Sequence, residues 1–267
     1  MKQISWTTDI HLDFVEDHQV IDEFCQSIVA SNPDAVLIGG DIAVAGTLAL
    51  WLELLARKIQ RPIYFVLGNH DYYQSSIANV RATVAKLCKQ SSNLHWLGNS
   101  GVVELSPTTA LIGHDGWADG RLGNGIRSEV MLNDYFMIQE LTDLAPLRRF
   151  AKLSELGEQA AQYLRIQLLS ATPHFRNLIL LTHVPPFKES CWHEGHISDD
   201  EFLPHFTCSA VGDMLLRLMP HFPECHLTVL CGHTHGQGAV TMLPNLRVKT
   251  GGAEYGKPKV NELIHFE

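Results

Sequence analysis

The chain has no Cys-x-x-Cys pair, no long apolar run, no apolar N-terminal leader and no excess of positive charge. Each absence excludes a class. The six cysteines (Cys25, Cys88, Cys191, Cys208, Cys225 and Cys231) are scattered, so neither a zinc knuckle nor a redox pair is expected. They read as free thiols in a reducing cytosol. Residues Met1 to Asp9 lack the apolar core of a secretory signal, which agrees with a cytoplasmic location. No stretch approaches ~18 consecutive apolar residues, so no membrane span is expected. The formal net charge of −9 argues against nucleic acid or an anionic membrane as partner. Internal repeats, low-complexity tracts and linkers are also lacking, so one domain over residues 1–267 is expected.

What the chain does contain is histidine. Its 15 histidines outnumber its 11 phenylalanines. Histidine serves as metal ligand, as acid or base, or as plain surface, so position has to decide. Hydrophobic residues at 45% and charged residues at 18% fit a folded domain rather than a disordered chain.

Five short apolar runs each stop at a polar residue of one kind. Ile4–Thr8 leads to Asp9 and His11, and Ala35–Gly40 leads to Asp41. Ile63–Gly68 leads to Asn69, His70 and Asp71. Leu178–Thr182 leads to His183, and Leu227–Gly232 leads to His233 and His235. The runs are short and apolar, so they read as buried strands. In open α/β sheets, ligands bind beyond the carboxyl ends of strands, and one shared site follows. Helical patterns fill the gaps: Val20–Ala30, Leu48–Lys58 with Thr47 as cap, a segment from Ser75 or Ser76 to Cys88, Leu147–Ser170 and Cys208–Leu218. After Cys225, runs at Ala239–Leu243, Leu246–Lys249 and Val260–Phe266 suggest antiparallel pairing. Two irregular stretches, 113–128 and 184–206, read as functional loops.

Asp9, His11, Asp41, Asn69, His183, His233 and His235 mix carboxylate, imidazole and amide oxygen without thiolate. Such a set suits Mn, Fe or Zn ions and not an all-oxygen calcium cage. Seven ligands exceed what one open metal needs and suffice for two divalent metal ions if a carboxylate bridges. Asp9 and His11 are two apart, as are His233 and His235, so in extended chain each pair faces one side. His70, with a carboxylate nearby, can serve as a general acid. Arg121 and Arg127 in the glycine-rich loop can grip phosphate. His114, His193 and His196 are further pocket candidates.

The ordered segments Asp9-x-His11, Gly40-Asp41, Gly68-Asn69-His70-Asp71, Thr182-His183 and Gly232-His233-Thr234-His235 resemble the calcineurin-like metallophosphoesterases, from residue 9 to at least 235. The resemblance implies an α/β fold, a four-layer α/β/β/α sandwich of two mixed β-sheets flanked by helices. It implies that Asp9, His11, Asp41 and His235 bind one metal and that Asp41, Asn69, His183 and His233 bind the other. It further implies hydrolysis of a small phosphomonoester or phosphodiester substrate, with a metal-bridging hydroxide as nucleophile. His70 would stabilise the phosphoryl oxygens or protonate the leaving oxygen, and Asp71 would orient it.

Departures narrow the subfamily. Purple acid phosphatases carry Asp-x-Gly where this chain has Asp9-x-His11, and a metal-binding tyrosine where it has Val44. Ser/Thr protein phosphatases carry Glu at the place of Asp71. Bacterial cyclic-nucleotide phosphodiesterases share both the Asp-x-His and Gly-Asn-His-Asp forms, but often place a second histidine where Thr182 stands. A non-catalytic scaffold and a nuclease are the rival readings. The complete ligand set opposes the first and the charge opposes the second.

Overall fold

The computed structural model describes residues 2–267. In chain order its strands are β1 Lys2–Thr7, β2 Ala35–Ile38, β3 Ile63–Phe65, β4 Leu94–Trp96, β5 Val103–Ser106, β6 Thr109–His114, β7 Asn177–Thr182, β8 Trp192–His193, β9 His196–Ile197, β10 His226–Cys231, β11 Gly238–Leu243, β12 Leu246–Thr250 and β13 Glu262–Phe266. Its α-helices are α1 His18–Ala30, α2 Ala45–Ile59, α3 Ile77–Gln90, α4 Asp134–Met137, α5 Pro146–Ala171, α6 Leu203–Phe206 and α7 Ser209–Leu218.

The strands form two large mixed sheets, ordered β13-β1-β2-β3-β4 and β11-β12-β10-β7-β6-β5. Strands β1 to β4 run parallel, as do β6, β7, β10 and β12. Antiparallel strands β13, β11 and β5 occupy edges. Alternation of side chains along each strand supplies two apolar faces. Trp6 and Leu37 from the first sheet meet Leu111, Ile179, Leu181 and Leu230 from the second in a core between the sheets. Val36, Ile38 and Phe65 point the other way, onto Phe24, Leu52 and Val84 of α1, α2 and α3. Ile112, Leu180 and Val229 likewise face Leu164 of α5 and Leu215 of α7. Four layers result, α/β/β/α. Each fully buried Leu or Ile contributes roughly 1.5–3 kcal/mol, so the three cores can hold a strained edge in place.

Boundaries differ from the expected ones where caps decide. Helix α1 starts at His18 because Asp17 accepts from the Gln19 N–H at 2.8 Å. Ser76, not Ser75, caps α3 through the Asn79 N–H. Thr47 caps nothing: α2 begins at Ala45, and the Thr47 hydroxyl donates to the Val44 carbonyl. The C-terminal strands do not form one antiparallel set. Strands β11 and β12 form a hairpin, but β12 lies parallel to β10, and β13 crosses to pair with β1 in the other sheet. Ile264 and Phe266 thereby reach the core between the sheets. All six cysteines are free, and no helix among the described residues is long and apolar enough to cross a membrane.

Candidate metal centre

Strands β1, β2, β3, β7 and β10 all deliver their carboxyl ends to one edge of the sandwich. Just beyond them the chain turns sharply. Asp9, His11, Asp41, His233 and His235 all have positive φ, between 40° and 70°. That region is costly for residues other than glycine, and such strain clusters at functional sites. Two glycines permit the crowding. A Cβ on Gly68 would collide with Asp41 Oδ1, and one on Gly232 with Asp9 Oδ2.

Two groups of ligand atoms result, each with all atoms within 4.8 Å of one another. One comprises Asp9, His11, Asp41 and His235; the other comprises Asp41, His183 and His233. Asp41 belongs to both. Its Oδ1 lies 3.4 Å from His183 Nε2, and its Oδ2 lies 3.7 Å from His11 Nε2. Asn69 Oδ1 joins the second group, 3.1 Å from His183 Nε2.

Partners behind the ligands fix their orientation. His183 Nδ1 bonds the Gly39 carbonyl at 2.8 Å, which leaves Nε2 as the free donor atom. His233 Nε2 bonds the His205 carbonyl at 3.1 Å, which leaves Nδ1. The Asn69 amide donates to Asp134 at 2.8 Å, so its oxygen faces the cluster. Tyr73 donates to the same carboxylate oxygen at 2.7 Å. Thr8 donates to Asp9 at 2.6 Å. Farther back, Asp115 joins the sheets. Its carboxylate accepts from the Leu67 N–H, Trp96 Nε1 and the Tyr72 hydroxyl, and its carbonyl accepts from the His183 N–H.

The electrostatics fit a cation. Burial alone would lower His183, but the carboxylates of Asp41 and Asp9 pull it up, to about 10. Burial would raise Asp41, yet His183 and His70 hold it well below the usual carboxylate range. Burial and the neighbouring imidazoles push His11 and His233 down to about 3, so both offer neutral nitrogens. The neutral imidazoles of His11 and His233, the carboxylates and an amide oxygen, around a point that holds a proton on His183, form a donor set suited to divalent cations.

The other candidate residues divide. His70 Nε2 lies 4.0 Å from Asp41 Oδ2, and its ring stacks on Tyr73 and meets His11 edge-on. No hydrogen bond or ion pair joins Asp71 to the His70 ring. The Asp71 carboxylate instead accepts from the N–H groups of Ile42, Ala43 and Gly68, holding the Asp41 and Asn69 turns together. His114 also departs from expectation. Strand β6 runs on to residue 114, alternation puts the ring on the helix side, and it packs against Tyr163 of α5. Arg121 is committed to Glu158 and Ser154 of α5. Arg127 is exposed at the end of a single 3-10 turn. His193 reaches the edge of the cluster, where its Nδ1 meets the Thr234 carbonyl at 3.0 Å. His196 is exposed on the neighbouring strand β9 and turns back on the Glu194 carbonyl. Sequence reasoning missed Asp134, Tyr73, His205, Phe14 and Tyr255. Only Tyr255 had a local signal, the Gly251-Gly252 pair beyond a strand whose carboxyl end joins the same edge.

The residues thus gather a candidate metal centre at one edge of two packed sheets. The family of calcineurin-like phosphoesterases matches residues 3–237. The chain belongs to that family. No curated protein matches it in sequence. Its fold is shared with the phosphopantetheinyl hydrolase of Mycobacterium tuberculosis at TM-score 0.69 and 16% identity, covering 96% of this chain and 90% of that one. A dimetal phosphatase from Danio rerio superposes at TM-score 0.60 and 13% identity, covering 94% and 87%. The GAP50 anchor in the inner membrane complex of Plasmodium does so at TM-score 0.52 and 15% identity, covering 94% and 71%.

Proposed function

We propose that the protein hydrolyses a small phosphomonoester or phosphodiester at two divalent metal ions that share Asp41. One observation carries this reading: the two oxygens of Asp41 face opposite halves of the ligand cluster, one toward His183 and the other toward His11. Asp9, His11 and His235 complete one half; Asn69, His183 and His233 complete the other. Mn, Fe and Zn all suit these donors. Bound there, such ions would supply Lewis-acid charge to a phosphoryl group and lower the pKa of a water.

The protein's own groups do the rest. His70 is not a ligand, lies beside Asp41 and keeps 13% of its side chain exposed. It stands where a leaving oxygen can take a proton from Nε2, a role worth about 10²–10⁴-fold. The backbone N–H of His70 donates to Asp41 Oδ1 at 2.9 Å, which ties the His70 turn to the shared carboxylate. Asp71 positions this turn rather than touching substrate. The test is a panel of phosphomonoesters, cyclic nucleotides and diesters, run with Mn²⁺, Fe²⁺ or Zn²⁺ after metal removal. Metal-restored turnover of at least one ester is expected. Full metal binding without hydrolysis of any would favour a scaffold instead.

A further inference from the structure

Two half-exposed aromatic side chains border the cluster, and the reaction as described does not use them. Phe14 is 49% exposed and Tyr255 is 46% exposed. Their ring centroids lie 4.7 Å apart. Tyr255 also sits 4.5 Å from the His11 ring and 4.9 Å from the His235 ring.

The chain holds this pair in place on purpose-built turns. Tyr255 occupies the second position of the turn Glu254–Lys257, closed by the Lys257 N–H to the Glu254 carbonyl at 3.1 Å. Gly256 follows with φ +74°, as a type II turn requires. A Cβ on Gly256 would come within 3.3 Å of the Phe14 carbonyl, so the turn seats on the Leu12–Phe14 segment. The Ala253 N–H donates to the His235 carbonyl at 3.1 Å, which ties the same loop to a ligand.

Position then assigns a ligand. A leaving oxygen that takes the His70 proton must lie within hydrogen-bond reach of that ring. The group attached to it starts beside His70 and continues outward. The exposed apolar faces there are those of Phe14 and Tyr255, with ring centroids 6.4 Å and 6.2 Å from that of His70. Aromatic rings pair favourably at centroid separations of ~4.5–7 Å, offset or edge-on. We infer that Phe14 and Tyr255 form a leaving-group subsite that selects esters carrying an aromatic or heteroaromatic ring next to the ester oxygen. The inference rests on the phosphoesterase reading given above.

The test is calorimetric binding of benzylphosphonate and ethylphosphonate to the Mn²⁺-loaded protein. In both, a CH₂ stands where the ester oxygen would be, so neither turns over. Wild-type protein should bind benzylphosphonate about tenfold more tightly, the scale of one aromatic stack. Tyr255→Ala should bring the ratio close to one, Phe14→Ala should lower it severalfold, and Tyr255→Phe should keep it. Tyr255→Leu, which retains apolar bulk over His11, guards against loss of metal in the alanine variant and should also lose the preference. A wild-type ratio of one, or a ratio unmoved in the Ala and Leu variants, would overturn the subsite and leave the pair as a cover for His11. Wild-type protein that binds neither phosphonate would instead sink the phosphoesterase reading, and the subsite with it.

Discussion

Asn69, His183 and His233 each lean on a partner behind them, whereas His11 and His235 meet chiefly each other, at 3.1 Å between their Nε2 atoms. Gly39, His205 and Asp134 fix the rings and the amide of the first three. Nδ1 of His11, though buried, has no hydrogen-bond partner. Exposure does not follow this divide: His11 and His183 are both fully buried, while the His235 side chain keeps 22% of its surface. In one half the imidazoles and the amide are braced from behind, whereas in the other only Asp9 is, by Thr8 and the His233 N–H. A preorganised shell raises affinity, and its supporting bonds matter nearly as much as the ligands. The His183 half should therefore bind its ion more tightly, and the His11 half should face substrate.

Asp41 is where the halves join, so its loss should erase the contrast between them. Asp41→Asn should cost several kcal/mol of transition-state stabilisation, about 10³-fold in turnover. Steady-state rates on the best substrate of the ester panel check this. His70→Ala should leave both ions in place and lower turnover about 10²–10⁴-fold for poor leaving groups, and much less for good ones. Equal losses across a leaving-group series would remove His70 as the acid.

Acid should damage both halves together, because it acts on the scaffold beneath them. Burial holds His114 down at about 4, and its Nδ1 already accepts from the Gly116 N–H. As pH falls below 6.5 the unfolded chain takes up a proton that the folded chain refuses. Stability is therefore lost between pH 6.5 and about 4, by up to roughly 3 kcal/mol. Urea unfolding across that range should show the slope, and His114→Gln should make it shallower, with His11 and His233 keeping part of it.

The smallest change should separate the halves most cleanly. Asp134→Ala removes the acceptor that orients Asn69. It should weaken the second ion about 10–100-fold and spare the first. Asp134→Asn, which keeps an acceptor oxygen, should lose less. Stepwise metal titration reads both variants.

The strands and the candidate ligands at their ends were legible because each signal is local. A short apolar run followed by Asp, Asn or His states its own strand and its own place at the sheet edge. What supports the ligands was not legible. Asp134 and His205 come from stretches without periodicity, and only the closed fold brings them behind Asn69 and His233. Asp71 illustrates the same limit, since adjacency in sequence to His70 suggested a pairing that the turn's backbone N–H groups claim instead. Likewise β13 carries an ordinary strand pattern, but nothing within it says that its partner is β1, more than 250 residues away in the chain.

The shared role of Asp41 is tested most directly by counting metal. Elemental analysis of Mn²⁺-loaded wild-type protein should give two ions per chain. Asp41→Asn should give fewer than one, with both halves depleted. Two full ions in that variant would contradict the bridge, and the account of the site built on it.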